Sequence, residues 1–331
     1  LKQHELITRH LQQKRAAVIT DSVVAPLYLP MLTATLHKAG IEITPIIVPA
    51  GEQHKDWHSL NAVFDALIEQ RCERKTALIA LGGGVVGDLA GYVAATYLRG
   101  LPLVQVPTSV LAMNDAAIGG KVAVDLPAGK NLVGAFYQPR AVIADTDTLR
   151  TLPRRSYVEG FGEVIKHGLI LDPSLFHDLE RHAGSLSTNN ADPELLAAIF
   201  ARSARLKALI VSTDPLERGI RAILNYGHTF AHAIEQVEGY TWRHGDAVAQ
   251  HQHVRHPRWH LVEVVRDQHQ GRCRGVEGEI GEGRDELFTA AAGSVTGTLA
   301  MSLSASSSRT GSPLFMNFGP TTGSPVIVAE M

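Results

Sequence analysis
The chain has 331 residues, of which 45% are hydrophobic and 19% charged, with a formal net charge of −2. That is the composition of a soluble globular protein with a full core, sized for one very large domain or two moderate ones. The near-neutral balance gives no electrostatic case for nucleic acid, no stretch reaches the roughly 18 to 20 apolar residues that span a bilayer, and Cys72 and Cys273 alone cannot build a disulfide scaffold or a four-cysteine metal site.

The expectation is therefore a cytoplasmic protein with no nucleic-acid or membrane partner. Leu1-Lys2-Gln3-His4 opens neither a signal peptide nor a lipidation site, and the lack of Met is read as missing first residues. Residues 16–20 predict a short buried strand. Residues 29–39 predict a helix, with Pro30 in its first turn and Gly40 past its end. Strand-like runs follow at 43–48, 77–81, 102–107 and 141–144. Residues 60–70 form an amphipathic helix with Leu60, Val63, Phe64 and Leu67 on one face. This alternation predicts a parallel sheet covered on both faces. From 151 to about 249 the pattern turns helical, at 161–170, 193–211 and 228–237. All nine lysines lie at or before Lys207, and half of the sixteen histidines lie at or after His228. Residues 250–274 are crowded with His, Arg and Gln without a period, and 293–331 are rich in Ser, Thr and Gly. The chain thus divides into 1–152, 153–249 and an unassigned 250–331.

Four constellations carry chemistry. Gly82-Gly83-Gly84-Val85-Val86-Gly87-Asp88 follows an apolar strand and opens a helix-like run, the context of a phosphate-binding turn. Its spacing is not the usual dinucleotide fingerprint, and a tight strand-to-helix turn explains it equally well. Glu52 and Lys55, in another turn after a strand, suit a ribose hydroxyl and an anion, or simply a solvated helix start. Lys121 and Lys130 beside glycines, with Lys166, Lys207 and Arg221 further on, form a set suited to an anionic substrate, although each alone is an ordinary surface charge. Finally Glu163, the pair His228 and His232 four residues apart, and His244 offer two imidazoles and a carboxylate for a catalytic zinc. Thr229 stands where a zinc protease carries its general base, which disfavours a protease. Unrelated surface histidines are the plain alternative.

Together these motifs resemble 3-dehydroquinate synthase over about residues 16–249. The resemblance rests on the 82–88 loop, Tyr97-Leu98-Arg99-Gly100, Gln105-Val106-Pro107-Thr108-Ser109, Gly119-Gly120-Lys121, Gly129-Lys130-Asn131, Glu163-Val164-Ile165-Lys166 and Asn225-Tyr226-Gly227-His228. It implies an α/β N-terminal NAD-binding domain followed by an all-helical domain. It implies conversion of a phosphorylated keto acid, 3-deoxy-D-arabino-heptulosonate 7-phosphate, to 3-dehydroquinate and phosphate, with NAD and zinc or cobalt. By the resemblance, Glu52, Lys55, Gly84, Val85, Val86, Gly87, Asp88, Thr108, Ser109, Thr148 and Thr151 line the NAD site. Lys121 and Lys130 reach cofactor, substrate or both. Glu163, His228 and His244 hold the metal. Asp115, Asn131, Lys166, Lys207, Arg221, Asn225 and His232 match substrate-pocket positions. Arg99 matches an arginine that reaches a neighbouring subunit, which implies a homodimer.

The chain departs from the family pattern at Ala116 and Ala117, where small hydroxyl residues are usual, and at Asp125, where Asn is common. After Ala249 the resemblance is expected to stop, through a reading-frame shift or a wrong join, which removes helices and a late lysine. The alternatives are a related sugar-phosphate cyclase, a metal-dependent alcohol dehydrogenase, and an inactive remnant that only binds nucleotide.

Overall fold
The computed structural model describes residues 1–228, 231, 315–317 and 326–330. All of these fall in one compact unit, Leu1–Gln268 with Leu314–Met331. The first part runs α1 (Glu5–Thr8), β1 (Arg15–Asp21), α2 (Ala25–Lys38), β2 (Glu42–Val48), α3 (Trp57–Glu69), β3 (Ala77–Gly82), α4 (Gly84–Thr96), β4 (Leu103–Pro107), β5 (Lys121–Leu126), β6 (Gly129–Phe136) and β7 (Ala141–Asp145). Helices follow: α5 (Arg154–Glu159), α6 (Phe161–Leu171), α7 (Pro173–Arg181), α8 (Ala183–Leu186) and α9 (Pro193–Thr213). Two late strands, β8 (Phe315–Asn317) and β9 (Val326–Glu330), complete the described elements.

Strands β2-β1-β3-β4-β7 lie parallel in that order, β9 joins β7 antiparallel, and β8 pairs with β9. The apolar runs of β1, β3, β4 and β7 are strands because both of their faces are covered. Ala17, Ile19, Leu78 and Ala80 pack with Leu60, Val63 and Leu67 of α3 and Val86, Leu89 and Val93 of α4. The alternate residues Ala16, Val18, Ile79 and Leu81 pack with Leu32 and Leu36 of α2. A period of two distributes one strand's residues between these layers. Chain order reverses between β1, which leads out to β2, and β3, which leads to β4. The crevice beyond the carboxyl ends at such a switch point is where doubly wound sheets bind ligands.

Two helix starts differ from the sequence expectation. α2 begins at Ala25, with Pro26 in its first turn and Pro30 inside it. Pro30 there forfeits a single bond near the helix start. α3 begins at Trp57 because the Asp56 side chain caps it, accepting from the Ser59 amide at 2.9 Å. Residues 121–136, for which no element is predicted, form an antiparallel hairpin of β5 and β6. β9 falls in the segment for which the sequence predicts nothing, and Ile327, Val328 and Ala329 are buried.

The helical part closes on an aromatic line. Tyr157 and Phe161 have ring centroids 5.4 Å apart, and Phe161 and Phe200 5.6 Å. This cluster also takes in Val110, Met113 and Leu149 from the α/β layers and Ile327 from β9, so helices and sheet share a core. No helix among the described residues is long and apolar enough to cross a membrane. The expected helix at 228–237 lies outside the described residues apart from His228 and Ala231.

Candidate active site
The glycine-rich loop turns β3 into α4 at the switch point. Gly83 is the N-cap of α4 and no side chain caps the helix. The first helical bond runs from the Gly87 amide to the Gly83 carbonyl at 3.0 Å, so the amides of Gly84, Val85 and Val86 precede it and point out of the helix end. Such an end suits a pyrophosphate. Gly87 also lets the helix pack closely on Gln105. A Cβ there would lie 2.9 Å from the Gln105 Oε1, and Gln105 donates to the Gly87 carbonyl at 3.1 Å. Val86 puts its side chain into the core. Thr108, whose amide donates to the Gly82 carbonyl at 2.9 Å, brings Ser109 beside Gly83. Thr148 and Thr151 follow the end of β7. The Thr148 hydroxyl donates to the Asp145 carbonyl at 2.7 Å, and Tyr28 bonds both threonines.

Lys55 is the hub on the other flank. Its Nζ lies 3.1 Å from Glu52, 3.3 Å from Asp88 and 3.6 Å from Asp125, and donates to the Asn131 Oδ1 at 2.7 Å. Burial pushes the Lys55 ammonium down, but the three carboxylates outweigh it and hold its pKa above the usual lysine value. Burial raises Asp88 to about 7, against the pull of Lys55. Lys130 lies 3.9 Å from Glu52 at the rim. Residues 52, 55 and 88, expected at NAD, and the hairpin residues 130 and 131 therefore belong to one polar cluster.

The floor is a set of buried and partly buried charges, three positive and two negative. Lys207 of α9 donates to the Asp115 carboxylate at 2.6 Å and to its carbonyl at 2.7 Å. Burial would raise Asp115, yet Lys207 overrides it and holds the carboxyl at about 2. Lys166 pairs with Glu163 one turn earlier on α6, both side chains almost wholly buried. Arg221 is buried as well. It donates to the Gly119 carbonyl at 2.9 Å and the Pro215 carbonyl at 2.7 Å, and stacks over Phe136 at 5.7 Å. A Cβ at Gly119, whose φ is +103°, would lie 2.5 Å from the Arg221 Nη2, so this approach requires glycine.

Glu217 is a residue that sequence reading missed. It pairs with Lys121 and accepts from the Asn225 Nδ2 at 2.6 Å, tying two predicted site residues together. Its left-handed φ of +55° marks the turn that places it. Nothing in its sequence neighbourhood singles it out.

Glu163 and His228 approach within 3.8 Å, carboxylate to Nε2. That separation lies within the reach of two ligands on one ion with bonds of about 2.0–2.2 Å, and the N and O donors suit zinc or cobalt. His244 and His232 lie outside the described residues. Asp115, Glu163 and His167 also bring ligand atoms within 4.8 Å of one another. Within this trio Lys207 already holds the Asp115 carboxylate, and the His167 Nδ1 bonds the Ser203 hydroxyl at 2.8 Å. The second trio is thus an ion-pair core, with burial and Lys166 depressing the His167 pKa to about 3. Arg99 is exposed beyond the C-terminus of α4, about 20 Å along the helix from the loop at 1.5 Å per residue, so this chain does not bring it to its own site.

Family models described as the 3-dehydroquinate synthase N-terminal and C-terminal domains match residues 45–159 and 160–270. The second match runs past residue 249, where the resemblance was expected to stop. The 3-dehydroquinate synthase of Nitrosospira multiformis is 53% identical over 250 residues, 75% of this chain and 68% of that protein. A 2-deoxy-scyllo-inosose synthase, solved with carbaglucose-6-phosphate, NAD+ and Co2+, superposes with a TM-score of 0.69 at 31% identity over 75% of this chain and 68% of its own. A 2-epi-5-epi-valiolone synthase from Streptomyces hygroscopicus, solved with NAD+ and Zn2+, gives 0.68 at 29% identity over 72% and 66%. The chain spans about two thirds of the length of these relatives.

Proposed function
The chain belongs to the 3-dehydroquinate synthase family, and on that footing we propose that it converts 3-deoxy-D-arabino-heptulosonate 7-phosphate to 3-dehydroquinate and phosphate. The sequence of events is a transient oxidation at C5, loss of phosphate, reduction and intramolecular aldol closure. Phosphate leaves poorly beside an unactivated C–H, and a ketone at C5 acidifies the neighbouring proton. Bound NAD supplies the hydride acceptor and donor, and bound zinc or cobalt polarises the substrate oxygens.

The chain's own residues bind and orient. The amides at 84–86 take the pyrophosphate, and Glu52, Lys55 and Asp88 fix the neighbouring part of the dinucleotide. Glu163 and His228, with His244, hold the cation. Lys121, Lys130, Lys166, Lys207 and Arg221 supply positive charge for the carboxylate and phosphate of the substrate, and Asn131 and Asn225 add amide contacts. The leaving phosphate can itself accept the C6 proton, so positioning and charge stabilisation are the protein's main contribution. A cytoplasmic homodimer completes the proposal: Cys72 is a buried free thiol, which suits a reducing compartment, and Arg99 is exposed, which is compatible with a role across a subunit boundary.

The observation that carries this reading is the 3.8 Å approach of Glu163 to His228 from distant segments. An inactive nucleotide-binding remnant is the second reading, in which the 84–86 amides still take a pyrophosphate but no metal is held. Purified chain given the heptulosonate phosphate, NAD and zinc separates the two. Stoichiometric release of inorganic phosphate with no net NADH is expected, whereas NAD binding without phosphate release supports the remnant.

A further inference from the structure
The hairpin of β5 and β6 carries Lys130 and Asn131, while Glu52 and Lys55 sit on a separate turn after β2. One residue touches both. The Asp125 amide donates to the Lys55 carbonyl at 2.7 Å. Its carboxylate accepts from the Asn131 amide at 2.8 Å and lies 3.6 Å from the Lys55 Nζ. Strand pairing shifts at this point: between the Val124–Val133 and Leu126–Gly129 pairs Asp125 alone faces Lys130, Asn131 and Leu132, so the extra residues lie on β6. Extra residues leave the ladder locally unpaired, and here they bring the Asn131 amide to the Asp125 carboxylate. Asn131 has a φ of +56° and no ladder partner among the described pairs, so the carboxylate is what holds its amide. Held this way, the Asn131 side chain accepts from Lys55 at 2.7 Å and closes the ring.

We propose that Asp125 is a positioning residue that locks the Lys130–Asn131 tip to the Glu52–Lys55 turn, so that the cofactor side and the substrate side of the site form one rigid cradle. It touches neither cofactor nor substrate. Its working atom is the acceptor Oδ1, which Asn also has and Ala lacks. The inference deepens the proposed NAD site and rests on that reading.

Two variants test it, Asp125→Ala and Asp125→Asn, each read by hydrogen exchange at the Asn131 amide and by NAD+ titration of the full chain. In Asp125→Ala the amide is expected to exchange at least tenfold faster and the NAD+ Kd to rise at least fivefold. Asp125→Asn is expected to stay within twofold on both. Unchanged exchange or unchanged affinity in Asp125→Ala overturns the inference, as does an Asn variant as impaired as the Ala one. If the unsubstituted chain binds no NAD+, the proposed function fails, and the exchange measurement still decides the role of Asp125.

Discussion
At the residue scale, the site is a set of charges whose cost of burial is met by specific neighbours. Asp88 is the exception and the most measurable case, because there burial outweighs the neighbour. Burial raises its carboxyl to about 7 in the folded chain, with Lys55 opposing, from 3.8. A raised carboxyl contributes stability that is fully present below the unfolded value. That contribution is lost as pH rises, and the loss is complete above about 7. The ligand-free chain is therefore expected to lose stability from this group between about pH 4 and 7, by at most about 1.4 kcal/mol per pH unit. Asp88→Asn should lack the loss. Urea unfolding of both chains at pH 5, 6 and 8 checks this: the variant's relative stability should grow with pH and level off above 7. A difference that does not move with pH would mean that Asp88 ionises normally. The same scale explains what the sequence hid. Glu217 is one acid in a turn, and only its left-handed backbone and its contacts with Lys121 and Asn225 reveal it.

At the element scale, each half of the fold presents its share of the site because packing fixes the segment behind it. α6 exposes no ligand to solvent: residues 161 to 168 are all buried, and Glu163 rides on that buried turn. Phe161 anchors it, between Tyr157 and Phe200. Phe161→Ala is expected to cost about 3–5 kcal/mol and to loosen Glu163 with it. Denaturant unfolding should register the first effect, and a weaker affinity for zinc the second. A stability loss under 1 kcal/mol would show that α6 is held by something else. Elements buried on both faces were legible in the sequence, since continuous apolar runs at 77–81 and 141–144 leave little alternative to a covered strand. The hairpin was not. β6 is half exposed and glycine-bearing, and its pairing depends on a bulge that no local pattern announces. The start of α2 was hidden because Pro30, read as a helix opening, lies inside the helix.

At the scale of the whole molecule, the doubly wound sheet and the helices share one aromatic and aliphatic core, and the site lies where the sheet's carboxyl ends meet that core. Most of this was readable because the motifs fall on the strand ends and helix starts that a parallel sheet forces together. β9 was not, since its pairing with β7 links segments far apart in the chain, which no local period encodes. The proposed chemistry depends above all on the expectation that Glu163 and His228 hold one divalent cation. Equilibrium dialysis against zinc at neutral pH, with the full chain and with Glu163→Gln and His228→Ala, is the decisive measurement. One zinc per unsubstituted chain is expected, with at least a tenfold loss of affinity in both variants and melting temperatures that show each still folded. Zinc held equally by all three chains, or by none of them, would refute the metal site and the chemistry built on it.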